Sequence, residues 1–210
     1  MAFIDAFFFF CARNREKIIT IFKSLYLLIF LFTVIGSFSL YQGNVYKGFF
    51  LNLAVRASQT AIILYILTII PGIFRRFGKQ HKLVALLMIY RRYIGIAVFF
   101  TILYHYMMER GVFLIQSGVQ NILSAFSHYM LFEIMGTVAF FFIFLLAVTS
   151  NDISTSKLGI WWGRIHNLTY VIVWFMFLHV ALQRVTIWTL LLGMAGGIQV
   201  LSFIYKRFKK

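Results

Sequence analysis

A single cysteine, Cys11, and a single proline, Pro71, stand among 210 residues, and only five side chains are acidic. One cysteine excludes an internal disulfide, and Cys11 reads as a membrane-edge residue without a special task. The acids are Asp5, Glu16, Glu109, Glu133 and Asp152. They are too scattered to form a carboxylate dyad, and no general acid or nucleophile stands out among them. No Gly-rich phosphate loop and no dinucleotide fingerprint occurs, so any reducing equivalents must come from another molecule. The second helical segment holds the only proline at its end, where a helix break would be harmless.

Apolar surface fills the space left by charge. Hydrophobic residues make up 62% of the chain and charged ones 12%, and the mean hydropathy is +0.89. A soluble domain of this length could not hide that much apolar area, which leaves an integral membrane protein. Six apolar segments stand out, at Ile18–Tyr41, Ala57–Ile73, Tyr93–Met108, Ile134–Val148, Ile165–Leu182 and Val185–Ile204. Most approach the ~20 residues of a spanning helix, and no alternation suggests a barrel. The expected fold is all-α, a single six-helix bundle over residues 1–210. Phe7 to Phe10 precede the first charges, the reverse of a signal peptide's order. That segment is expected to stay uncleaved, with its phenylalanines at the interface.

The net charge of +15 invites a nucleic-acid reading, but the basic residues sit in short clusters between apolar runs. That distribution encodes topology instead. Sixteen basic residues fall in the N-terminal segment, the second and fourth connections and the C-terminal tail; only Lys47, Arg56, Arg110 and Arg184 fall on the other side. This bias predicts both termini in the cytoplasm. The longest outer connection, Gly111–Glu133, mixes apolar with polar residues in the manner of an interfacial amphipathic segment.

Histidines inside apolar segments carry the chemistry. An ionisable side chain in the membrane is expensive and points to function, and neutral imidazole is a common metal and haem ligand. With alternating helices, His105 and His179 fall near the outer end at matched depth, where two facing helices can hold one haem. His166 falls near the inner end, roughly 20 Å from His179 along a helix. Arg91 shares a face with His105 and a depth with His166, and is suited to pair with a haem propionate. An ideal helix turns His166 and His179 about 140° apart, so both face one interior only if that helix bends or unwinds. His81 is expected to be solvated and His128 interfacial.

An ordered set of motifs then resembles a known family. Pro71 with Arg75-Arg76, Arg91-Arg92-Tyr93-Ile94-Gly95 leading to His105, and Thr149-Ser150-Asn151 leading through Trp162 and His166 to His179 are similar to ferric-reductase-like transmembrane proteins. Within that family the pattern is most like the haem-binding membrane subunit of bacterial periplasmic methionine sulfoxide reductase systems, over about residues 55–182. The resemblance implies b-type haem at His105, His166 and His179, one haem being expected and a second left open because Arg91 stands where relatives have a histidine. It implies a cytosolic flavin reductase or quinol as donor, with flavin mononucleotide as a candidate cofactor. It also implies a periplasmic molybdopterin reductase as acceptor, and a bacterial inner membrane around it. The alternatives are a reductase of a small acceptor such as ferric iron or oxygen, and a cofactor-free transporter or channel with histidine proton relays.

Overall fold

Long runs of Leu, Ile, Phe and Val become helix throughout the computed structural model, which describes residues 2–43, 46–79, 81–112, 115 and 130–209. A short helix α1 (Ala2–Arg13) leads into α2 (Arg15–Tyr41), α3 (Lys47–Arg76) and α4 (Lys82–Tyr106), which ends in a π turn at Met107–Gly111. After it come α5 (Leu131–Val148), the short α6 (Asp152–Leu158) and α7 (Ile160–His166), then α8 (Thr169–Gln183) and α9 (Ile187–Phe208). Six helical stretches are long and apolar enough to cross a membrane, α7 and α8 together forming one of them. The chain is a multi-pass membrane protein. No strand occurs among the described residues.

Several helices outrun the apolar segments. α3 begins at Lys47, not Ala57, and α4 begins at Lys82, so Arg91 and Arg92 lie inside a helix and not in a loop. Hydropathy falls at charged residues, but Lys, Arg, Leu and Met all keep good helix propensity. Pro71 does not end its span either. It is buried inside α3, which runs on to Arg76. A proline removes one backbone hydrogen bond, a loss that neighbouring helices tolerate inside a membrane bundle. His128 and most of the Gly111–Glu133 connection lie outside the described residues.

The core joins Ile62, Tyr65 and Ile69 of α3, Val98 of α4, Ile143 of α5, Ile172 and Val173 of α8, and Leu192 of α9. Lipid tails are as apolar as these side chains, so packing and hydrogen bonds between helices must hold the bundle. Tyrosines supply several such bonds: Tyr26 donates to Tyr93 O at 2.6 Å, Tyr90 to Cys11 O at 2.8 Å, and Tyr104 to Phe50 O at 3.1 Å. Each such bond contributes about 0.6 kcal/mol. Cys11 is buried against α4.

The basic segments meet at one end of the bundle. Lys82 pairs with Asp5 at 2.6 Å, Arg92 with Asp152 at 2.7 Å, and the Phe77 ring lies 5.3 Å from that of Tyr205 near the close of α9. At the opposite end Arg110 of the π turn pairs with Glu133, whose carboxylate also accepts the Met130 N–H at 2.9 Å.

Candidate functional site

His105 sits on the last turn of α4 and His179 on the last full turn of α8, both toward the end opposite the basic one. They are near enough for their charges to interact. α4 and α8 make little direct contact with each other, and each packs on α5. The two rings are held alike. His105 Nδ1 lies 3.2 Å from Ala54 O, and His179 Nδ1 lies 2.7 Å from Phe132 O. A carbonyl only accepts, so Nδ1 carries the hydrogen in each ring. In the neutral imidazole that leaves a lone pair on Nε2 of both residues, with no hydrogen-bond partner for it among the described residues. Metal-bound histidines fix their tautomer in this way, through a carbonyl on the second nitrogen.

Gly136 makes room for His179. A Cβ at that position would stand 2.6 Å from His179 Nδ1. Among the described residues no three of His, Cys, Asp or Glu gather as a metal-binding set. A haem iron asks for less, since two axial imidazoles suffice. The matched tautomers fit that demand at His105 and His179.

The basic end is built differently. The helix bearing His166 and His179 breaks at Asn167–Leu168, where Leu168 N bonds Ile165 O at 2.9 Å and Thr169 Oγ1 donates to His166 O at 2.8 Å. The i→i+3 bonds through this stretch mean that the 140° offset of an ideal helix does not apply between the two histidines. Neighbours pin the restart of α8: Tyr65 donates to Thr169 O, and Gln199 Nε2 donates to Tyr170 O at 3.1 Å. Gly159, at φ +51° and ψ −120°, joins α6 to α7 in a conformation that favours glycine.

A cavity of about 430 Å³ opens here, lined by Tyr65, Arg75, Arg91, Trp162, His166 and Tyr170 among others. The structure brings Arg91 and His166 to one chamber and keeps them apart from His105 and His179. His166 is not poised like the other two. Its Nε2 lies 3.3 Å from Thr149 Oγ1, whose hydrogen goes to Leu145 O at 2.8 Å, so His166 Nε2 must be the donor. Trp162 stacks on the imidazole at 4.1 Å and donates to Thr149 O at 3.0 Å, fixing the arrangement. With Nε2 engaged and an always-protonated arginine on α4, this level does not repeat the pair of Nδ1-anchored imidazoles found at His105 and His179. Arg92 hydrogen-bonds Asp152 and holds its carboxyl below the usual carboxylate range.

Several polar residues of this end have roles that the sequence motifs do not indicate. Arg76 is 8% exposed and looked like a topology marker. Its Nε donates to Ser202 Oγ at 2.8 Å and its Nη1 to Tyr170 Oη at 3.0 Å, with the guanidinium 4.0 Å from the Phe203 ring. Gln199 and Ser202, one turn apart on an apolar helix, were the available signal. His81 is exposed and accepts the Leu83 N–H at 3.3 Å, capping α4. No family model, no curated protein and no solved structure matches this chain.

Proposed function

We propose that the chain is a membrane electron-transfer subunit in which His105 and His179 hold one b-type haem between α4 and α8. One observation carries this reading: both rings commit Nδ1–H to a carbonyl of another helix and so present Nε2. The bond to Ala54 O ties His105 to α3, and that to Phe132 O ties His179 to α5, so neither ring turns freely. Such restraint lowers the reorganisation that accompanies a change of charge at a buried centre. Bound b-type haem supplies reversible one-electron storage in a low-dielectric interior.

The sixteen-to-four basic bias supports an orientation with the basic end and both termini in the cytoplasm. On that orientation His166 and Arg91 stand where electrons enter, from a cytosolic flavin reductase or from quinol, with flavin mononucleotide as a candidate carrier. His105 and His179 stand where electrons leave, toward a periplasmic molybdopterin reductase that repairs oxidised methionine. The host is a bacterial inner membrane. The donor and acceptor rest on the motif resemblance; the haem site rests on the two imidazoles.

A reduced-minus-oxidised absorption spectrum of the purified protein tests the reading. Wild type should show b-type haem, and His105→Ala and His179→Ala should each lose most of it. His81→Ala should be unchanged. Full haem retention in both membrane variants overturns the assignment.

A further inference from the structure

An ion pair joins the helix that bears one imidazole to the helix that anchors the other, and we infer that this pair, Arg110 with Glu133, positions His179 against His105. Arg110 lies in the π turn that ends α4, a few residues after His105. Such π turns are frequent at functional sites. Glu133 lies in the first turn of α5, next to Phe132, whose carbonyl accepts the His179 Nδ1 hydrogen. Each member of the pair is thus close in the chain to a group that places one of the two rings. α4 and α8 make little direct contact, and α5 packs more extensively on α8 than on α4. α5 and α8 therefore form the firmer pair, and the seam between α5 and α4 is where the spacing of the rings is set.

Both oxygens of the Glu133 carboxylate are in use. Oε1 takes the Arg110 guanidinium, and Oε2 accepts the Met130 N–H at 2.9 Å. One carboxylate thus grips the start of α5 and the end of α4 together. Its side chain is 9% exposed, so this is no solvated surface pair. The N-terminus of a helix favours a negative charge, but a buried carboxylate is costly to leave without its cation. Elsewhere along this seam Phe140 stacks on Tyr106 at 4.6 Å, and Phe99 lies against Phe140 and Phe144 at 6.3 and 5.8 Å. Offset rings keep much of their attraction through a small slide. The carboxylate, held to two donors, does not. Gly136, one turn beyond Phe132, lets the His179 ring lie close against α5. A shift of that first turn along α4 would carry His179 with it.

The inference rests on the haem reading of the two imidazoles, and the test separates them. Glu133→Gln is the main variant, because its amide oxygen can still accept the Met130 N–H and keep the helix start while the ion pair is lost. In haem-free protein with isotope-labelled histidine, exchange of the His179 Nδ1 hydrogen with water is followed by NMR, the signal being assigned from its absence in His179→Ala. Glu133→Gln and Arg110→Gln should each speed that exchange by about tenfold, as expected when one hydrogen bond is loosened. Arg110→Lys, which keeps the charge, should stay near wild type. With haem added, the two glutamine variants should bind it about tenfold more weakly. They should also alter the low-spin ferric electron paramagnetic resonance signal, which reports how the axial rings are held. A pair that served stability alone would lower the melting temperature and leave exchange and signal at wild-type values; that result overturns the inference. Arg110→Gln strands a buried carboxylate, and should it not fold, Glu133→Gln decides the matter. Faster exchange in the variants of a chain that takes up no haem would instead overturn the proposed function alone.

Discussion

An alanine at position 136 would put a methyl group 2.6 Å from His179 Nδ1, 2.8 Å from Cε1 and 3.2 Å from Cγ, where ordinary contact begins at 3.4 Å. The ring must withdraw, and its 2.7 Å bond to Phe132 O holds it where it is. Overpacking of this kind costs about 1–3 kcal/mol, and the lost hydrogen bond adds about 0.5–1.5 kcal/mol. Gly136→Ala should therefore lose haem and unfold at lower temperature in detergent. The decisive control is His179→Ala, which removes the clash partner. In that background Gly136→Ala should have little further effect, so the two changes should be strongly non-additive in a double-mutant cycle. Wild-type haem content and stability in Gly136→Ala would refute the reasoning. So would an equal loss of stability in both backgrounds.

Reporters fused near Lys79 and at the end of α9 should behave as cytoplasmic, because both lie at the basic end; a periplasmic signal from either would reverse the proposed direction of electron flow. Arg76→Gln should lower thermal stability by about 1.5–3 kcal/mol, the worth of hydrogen bonds made by a charged donor. Ser202→Ala should have a smaller effect, and less in the Arg76→Gln background, where only its bond to Gln199 O remains to be lost, as detergent melting curves would show.

Span number and class were legible because apolar runs of this length have few other fates. Helix ends were not. Lys47, Asn52 and Arg56 lower the hydropathy of the first turns of α3 without interrupting its backbone, and Arg91-Arg92 do the same in α4. The matched depth of His105 and His179 followed from counting along alternating helices. Their tautomers did not, because each is set by a carbonyl on another helix, 51 and 47 residues away. Arg91 and His166 were placed at one level from helical pitch, and they line one cavity. Thr149 could not be seen as the residue engaging His166, since that contact requires the turn through α6 and α7. Arg76 was hidden by its neighbours: beside Arg75 in a basic stretch, nothing in its spelling separates a buried cation from an exposed one.

Helix packing also dictates an order of assembly during synthesis. α2 packs chiefly on α4 and barely on α3, so the first span to enter the bilayer waits for the third before it finds its main partner. α3 packs most heavily on α4, and α9 returns to pack on α3. The buried contacts of Arg76 with Ser202 join the same two helices, 126 residues apart in the chain. Until α9 emerges from the ribosome, the Arg76 guanidinium has Tyr170 of α8 but lacks Ser202. A nascent chain halted before α9 would therefore leave a cation at the end of α3 only half engaged, and the bundle closes around it when the last span arrives.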